Sequence, residues 1–265
     1  MKQSTVSKRA LKNSFSRASS TYDDFSLVQR QVNRHLLELV PDKGFDDALE
    51  IGCGTGAFTR MLIDKVDIRR LLALDISFNM LLKAKKALAH SSCECTFLCC
   101  DGERLGLKRD KRFHLIVSSS CMHWFEDFGA SILNMVSNHL RPEGYMVCSV
   151  FGSSTLIELK EVLKELYPQR EFMLPPSEFP TRHEVESILS GRVRSMETEE
   201  ITIKREYKDL LELLLSLKRT GTTARSKKGV LLYPRGKIAE AESLYREIHG
   251  KIRASFQVIF FKVLR

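Results

Sequence analysis

Apolar residues follow two spacings along the first part of the chain. Five short apolar runs have the length and composition of buried strands: residues 48–51, 70–75, 96–100, 113–118 and 145–151. Before and between these runs, apolar residues recur every three or four positions, as Leu11, Phe15 and Ala18 do. Strands that alternate with helices predict an α/β fold built on a doubly wound parallel sheet.

The pattern changes after Gly152. Helical spacing covers residues 156–166, 210–217 and 236–249, and strand-like alternation covers 201–203 and 255–263. Thr181 and Glu184 predict a capping box that opens a further short helix. We therefore predict four regions: N-terminal helices over the ligand site (1–40), a Rossmann-like core (41–152), a helical lid with an interleaved strand (153–250) and a last strand (251–265).

A glycine-rich stretch, DDALEIGCGTG from Asp46 to Gly56, joins the first predicted strand to a helix. Gly52, Gly54 and Gly56 stand at alternate positions, whereas a dinucleotide fingerprint reads G-x-G-x-x-G. Glu50 precedes the first glycine by two residues, and its negative charge favours a cationic ligand over a phosphate. S-adenosylmethionine, which carries sulfonium and ammonium groups, is such a ligand.

Polar residues also close the following strands, where a ligand lies in a sheet of this kind. Asp75 can accept both hydroxyls of a ribose, and Asp101 can accept an adenine amine. The remaining candidates for cofactor binding are residues near these strand ends: Met80, Gly102 and Ser118.

Composition narrows the functional classes. The net charge of +9 indicates an acidic partner or an anionic substrate. Seven cysteines, an odd number without zinc-site spacing, predict buried free thiols in a reducing compartment and no metal site. No apolar run approaches the roughly 18 residues of a membrane-spanning helix, so we expect no membrane association.

The segment Glu50–Gly56 resembles the E/D-x-G-x-G-x-G signature of class I (Rossmann-like) methyltransferases. Over nearly its whole length, the chain is also similar to the malonyl-acyl-carrier-protein O-methyltransferases of biotin biosynthesis. The motifs that carry this similarity are Phe15-Ser16-Arg17-Ala18 with Tyr22, 27–31, 151–159, 173–176 and 216–221. Two departures stand near the expected substrate: Ser118-Ser119 replaces Ser-Asn, and His123 replaces Gln.

This resemblance implies S-adenosylmethionine as cofactor and methylation of the free carboxylate of malonyl-acyl carrier protein, or of malonyl-CoA, in the cytoplasm. The candidates for the substrate wall and carboxylate contacts are Tyr22, Trp124, Arg17 and Lys218. Residues 218–237 contain several lysines and arginines and no acidic residue. Such a segment would attract an acidic carrier protein, and we expect Arg225, Lys227 and Lys228 to be docking residues.

Two other functions stay open at this point. A class I methyltransferase could act on another small carboxylic acid or on RNA, because a basic face also binds phosphates. A non-catalytic protein that binds S-adenosylmethionine and serves as an assembly partner would carry the same glycine loop. The absence of an N/D-P-P-Y/F tetrapeptide after the fourth strand argues against amino methylation of nucleobases.

Overall fold

A seven-stranded sheet forms the centre of the computed structural model, which describes residues 7–108, 110–168, 178–222 and 237–265. Its strands are β1 (Phe45–Ile51), β2 (Ile68–Asp75), β3 (Glu94–Cys99), β4 (Phe113–Ser119), β5 (Leu140–Phe151), β6 (Ser195–Glu206) and β7 (Arg253–Leu264). They are ordered β3-β2-β1-β4-β5-β7-β6. The first five are parallel, and β7 runs antiparallel between β5 and β6.

Helices cover both faces of the sheet. The helices of the described chain are α1 (Lys8–Ala18), α2 (Tyr22–Phe25), α3 (Leu27–Leu39), α4 (Ala57–Lys65), α5 (Phe78–Ala87), α6 (Phe128–Asn134), α7 (Ile157–Leu166), α8 (Arg182–Leu189), α9 (Leu210–Arg219) and α10 (Ile238–His249). Ala48 and Leu49 are both fully buried but belong to different apolar clusters, one on each face. Burial on both faces explains why the strands read as apolar runs.

The predicted α/β fold and the positions of its strands are confirmed. Two predicted helix starts are confirmed as well: Ser77 accepts a hydrogen bond from the backbone of Met80 at 3.3 Å, and Thr181 forms a capping box with Glu184. Each side chain supplies a partner to an amide that has none within its helix.

The start of β5 differs from the expectation. The sequence Pro142-Glu143-Gly144 predicts a turn before the strand, yet β5 already begins at Leu140. The pairing with β4 shifts its register across this segment, and Glu143 takes a positive φ of 59°. Its amide donates to the carbonyl of Arg265 at 3.1 Å, so the turn residues are held as an irregularity within the strand.

The cysteine expectation is wrong in part. All seven thiols are free, but only Cys53 and Cys148 are fully buried, and Cys99 is exposed. Cys99 ends β3, one of the two edge strands of the sheet, where fewer neighbouring elements cover the side chains.

Several sequence predictions fall on residues outside the described ranges. They are the Met173–Pro176 motif and the proposed docking residues Arg225, Lys227 and Lys228. The four-region division of the chain and the lid stay predictions. In the described part of the chain, no helix has both the length and the apolar character needed to cross a membrane.

Candidate active site

A cavity of about 630 Å³, counting its part open to solvent, lies where β1, β2 and β4 end at the carboxyl edge of the sheet. We call it the glycine-loop cavity. Gly52, Gly54 and Asp75 line it from the sheet, and Leu11, Phe15 and Tyr22 line it from α1 and α2. The sheet and the N-terminal helices thus face each other across one space.

The three glycines of the loop have different roles, although all adopt positive φ. A Cβ on Gly54 would meet no atom within 4 Å, so that position borders open space. A Cβ on Gly52 would lie 2.3 Å from the sulfur of Cys121, and one on Gly56 3.0 Å from the Cα of Ala84. Gly56, which does not line the cavity, therefore permits the packing of α4 against α5 instead.

Asp75 is oriented by the backbone at the end of β2. Its Oδ2 accepts from the amide of Gly54 at 3.0 Å, and its Oδ1 accepts from the amide of Ser77 at 2.7 Å. Burial raises the pKa of Asp75 to about 6, and these two hydrogen bonds oppose the rise. Each carboxylate oxygen keeps a lone pair for a ligand in the cavity.

Glu50 lies beneath the loop, because its side chain is only 1% exposed and does not line the cavity. Its Oε2 is buried and has no hydrogen-bond partner among the described residues. Burial raises the pKa of Glu50 to about 7; a hydrogen bond with the Thr59 side chain opposes the rise, and the neighbouring Asp75 carboxylate adds to it. A buried carboxylate with one oxygen unsatisfied favours a cation nearby.

Asp101 and Gly102 reach the cavity just after β3. Lys8 of α1 donates from Nζ to Asp101 Oδ1 at 3.2 Å, and it also pairs with Glu103. The amide of Glu103 shares the same Oδ1, so Oδ2 is the oxygen left for a ligand. A Cβ on Gly102 would approach Ile51 to 2.8 Å, which requires glycine at this contact.

Ser118 does not line the cavity, although the sequence had suggested it as a ligand contact. It is fully buried in β4, and its hydroxyl donates to the carbonyl of Ile51 at 2.9 Å. The next residues, Ser119, Ser120 and Cys121, line the cavity in its place. Successive side chains of a strand point to opposite faces, so a shift of one residue decides which serine faces the cavity.

Ser120 has two features of a functional residue that the sequence alone does not show. It has a positive φ of 51°, unusual for a residue with a side chain, and its buried hydroxyl has no partner among the described residues. Its amide donates to the carbonyl of Ser149 at 3.0 Å, which holds the strained conformation in place.

Met80 and Tyr22 both line the glycine-loop cavity. Met80 in α5 is 1% exposed and borders the cavity, so it serves both as core and as cavity wall. Tyr22 opens α2, and burial raises the pKa of its hydroxyl, with the nearby Asp75 and Asp23 carboxylates adding to the rise. The phenol is therefore neutral at physiological pH. Asp23 accepts a hydrogen bond from the hydroxyl of Thr55 at 2.6 Å, which ties α2 to the glycine loop.

Trp124 separates the glycine-loop cavity from a second space of about 700 Å³, again counting its open part, and borders both. We call this second space the aromatic cavity. Its residues come from α2, α3, α7, α9, β5, β6 and β7, from the short turn Met122–Trp124 and from loops beside these elements. Phe151, Phe179 and Phe256 form much of its wall, and Arg205 is the one charged residue among its described lining residues.

His123 lines the aromatic cavity beside Trp124. Its ring centroid lies 4.4 Å from that of Phe179 and 5.2 Å from those of Trp124 and Phe151. Burial lowers the pKa of His123 to about 3, so the imidazole is neutral. The sequence marks His123 only as a departure from the family pattern, and it gives no sign of Arg205, which reaches the cavity from β6.

Arg17 and Lys218 do not lie where the sequence had suggested. Both side chains are exposed, and neither residue lines either cavity. Each stands in the last turn of its helix, α1 or α9, where a cation is favoured by the helix dipole. In this structure both residues are therefore surface cations at helix ends.

Comparison with known proteins agrees with this geometry. Residues 48–144 match a family model described as a methyltransferase domain. The YcgJ protein of Bacillus subtilis has a similar fold, with a TM-score of 0.62, 14% identity and coverage of 89% of this chain and 98% of that one. The N-methyltransferase NodS of Bradyrhizobium japonicum, solved with S-adenosyl-L-homocysteine, also has a similar fold. Its TM-score is 0.55 and its sequence identity 16%, and the match covers 96% of this chain and 98% of that one.

Residues 48–144 are thus similar to a methyltransferase domain, and the fold of the chain is similar to that of a solved methyltransferase. The sequence of this chain is similar to those of malonyl-[acyl-carrier protein] O-methyltransferases, which confirms the resemblance seen in the motifs. The protein of that name from Acetivibrio thermocellus is 28% identical over 96% of this chain and 93% of its own length. A second protein of this name, from Ilyobacter polytropus, is 27% identical over 83% of this chain and 82% of its own length.

Proposed function

We propose that this chain is an S-adenosylmethionine-dependent O-methyltransferase that methylates the free carboxylate of a malonyl thioester carried by acyl carrier protein. The main observation behind this proposal is that Trp124 borders two cavities of different chemistry. One offers carboxylates and a glycine loop, and the other is aromatic with one cation. The names of the similar proteins support the same substrate.

The residues of the glycine-loop cavity fit S-adenosylmethionine. Asp75 presents two oriented oxygens to a ribose diol, and Oδ2 of Asp101 can accept an adenine amine. Open space at Gly54 leaves room for a ligand against the backbone, and the buried Glu50, whose Oε2 has no partner among the described residues, favours positive charge nearby. When bound, the cofactor supplies an electrophilic methyl group on a sulfonium.

The chain needs no strong base for this reaction. A malonyl carboxylate is already ionised at neutral pH, and neutral Tyr22 and His123 leave it so. The residues around Trp124 must hold the carboxylate oxygen in line with the methyl–sulfur bond and exclude water. Orientation of this kind contributes roughly 7–11 kcal/mol in well-oriented reactions. The apolar rings that pack around His123 and Trp124 support that exclusion.

The aromatic cavity is larger than a malonyl group requires, so we assign the rest of it to the thioester arm. Its apolar wall suits the alkyl parts of such an arm, and Thr155, Thr220 and Thr222 offer polar contacts to its amides. Arg205, whose guanidinium lies 5.1 Å from the ring centre of Tyr207, is placed to meet an anionic group.

The test is a transfer assay with a labelled methyl donor. Purified protein is offered malonyl-acyl carrier protein, malonyl-CoA, free malonate and RNA, and the methylated product is identified by mass spectrometry. We expect a methyl ester on the malonyl thioesters and the higher kcat/KM on the carrier-bound form. Label in RNA at physiological salt, or donor binding without transfer to any acceptor, would contradict the proposal.

A further inference from the structure

His123 holds a polar ring in an otherwise aromatic environment. Three aromatic side chains, Trp124, Phe151 and Phe179, surround the imidazole at centroid distances of 4.4 to 5.2 Å. The residue is 5% exposed and lines the aromatic cavity. A buried polar ring of this kind needs hydrogen-bond partners for both nitrogens.

One nitrogen already has its partner. The amide of Phe151 donates to Nδ1 of His123 at 3.4 Å, so Nδ1 is the acceptor of the ring. A neutral imidazole carries its proton on the other nitrogen, which makes Nε2–H a donor. Within the described chain, Nε2 has no hydrogen-bond partner, and it is not among the buried polar atoms that lack one, so it borders the cavity space.

The neighbouring residues favour a particular ligand for this donor. Trp124 follows His123 directly and borders both cavities. Under the proposed function, the methyl donor in one cavity meets the acceptor in the other beside this shared residue. The accepting carboxylate must therefore come to the same place. Arg205 reaches the aromatic cavity from β6 and is free to meet another part of the acceptor.

We propose that Nε2–H of His123 donates a hydrogen bond to an oxygen of the acceptor carboxylate and orients it for methyl transfer. This inference rests on the proposed function. A neutral donor suits the task because it fixes the carboxylate without pairing it with a full positive charge. A cation at this position would hold the oxygen more tightly and weaken it as a nucleophile.

The experiment compares His123→Gln with His123→Leu. Glutamine keeps both an acceptor for the Phe151 amide and a donor for the substrate, whereas leucine removes both and keeps the apolar packing. With malonyl-acyl carrier protein, we expect kcat/KM to fall roughly 10- to 100-fold in His123→Leu and only a few-fold in His123→Gln. The affinity for S-adenosylhomocysteine, measured by calorimetry, should be unchanged in both.

Two further readouts separate this role from others. If both variants lose activity equally together with thermal stability, His123 is only structural. If His123→Leu keeps wild-type kcat/KM, the donor has no part in the reaction, and the proposal is overturned while the function stands. A wild-type protein that methylates no malonyl thioester would instead contradict the proposed function. With S-adenosylmethionine at saturation at every pH, which removes the effect of Asp75 on cofactor binding, wild type and His123→Gln should show the same pH profile between pH 5 and 8, since the imidazole is neutral throughout.

Discussion

Lys8 Nζ lies 3.2 Å from Asp101 Oδ1, which joins the first helix of the chain to the end of its third strand. The same ammonium pairs with Glu103 and stands 4.9 Å from the ring centre of Phe125. Lys8 and Asp101 both line the glycine-loop cavity, so this ion pair closes one side of it.

Replacing Lys8 by methionine should therefore weaken cofactor binding without harming the sheet. Methionine keeps the apolar stem and removes the charge. Because both partners are part exposed, the pair contributes at most about 1 kcal/mol to holding Asp101 in place, so we expect a loss of affinity of no more than about fivefold. Calorimetric titration with S-adenosylhomocysteine measures it. Lys12→Met, at an exposed position of the same helix, is the matched control and should bind as the wild type does.

Gly54 and Gly52 should fail in different ways when replaced by alanine. At Gly54 the new methyl group enters open cavity space, so we expect a modest loss of stability of about 1–2 kcal/mol from the positive φ. Binding should suffer more, by roughly 10- to 100-fold, through overlap with the ligand. Normal affinity in a folded Gly54→Ala protein would place the ligand elsewhere.

At Gly52 the new methyl group overlaps Cys121, so the loss should appear as a lower melting temperature even without ligand. A drop of roughly 5 °C or more is expected from thermal denaturation. Gly52→Ala combined with Cys121→Gly should recover part of that loss, because it removes the atoms that clash. No recovery would show that backbone strain alone is responsible.

Cofactor affinity should fall with acid because of Asp75. Its pKa of about 6 in the ligand-free protein means that the carboxylate becomes protonated below that pH and then accepts from a ribose diol less well. If only the ionised form binds, affinity at pH 5 is about tenfold lower than at pH 7. Titrations across this range test it, with Asp75→Asn as a variant that should bind weakly and without that pH dependence.

Glu50→Gln should stabilise the ligand-free protein at alkaline pH. The folded-state pKa of Glu50, about 7, lies above its ordinary value of 4.5, so the native state binds more protons between these values. The free energy of unfolding therefore decreases as pH rises from about 4.5 to 7 and stays low above it. Removing the charge should recover up to about 3 kcal/mol at pH 8 and little at pH 4.5.

Urea denaturation at both pH values measures this difference. Glu38→Gln on the exposed side of α3 is the control and should change neither curve. We expect Glu50→Gln to bind S-adenosylmethionine less tightly, because the buried charge that costs stability also favours a cationic ligand. Equal stability of wild type and Glu50→Gln at pH 8 would show that Glu50 is not held as a strained carboxylate.

Local sequence patterns predicted the sheet well because parallel strands are buried on both faces. The runs that contain Leu49, Leu74 and Val117 can only be strands of a core, and glycine loop and capping residues mark where helices begin. Such signals lie within a few residues of each other, so they do not depend on how distant segments meet.

The residues that line the aromatic cavity could not be predicted from local sequence patterns. Arg205, Trp124 and Phe179 come together only when β6, the turn after β4 and the segment before α8 are packed around one cavity. Arg17 and Lys218 look equally suitable as anion contacts in the sequence, but the direction of each side chain depends on the rotation of its helix. Ser118 shows that even one residue of strand register decides whether a hydroxyl reaches a ligand.

The short helices α1 and α2 have a consequence for how this protein can vary. They provide Lys8, Phe15 and Tyr22 to the glycine-loop cavity yet contribute no strand to the sheet. Phe15 also meets Trp124 edge-on at 6.2 Å and approaches Gly221 closely. Substitutions of the cavity-facing residues of these two helices can therefore alter turnover while the hydrogen-bonded sheet beneath them stays the same.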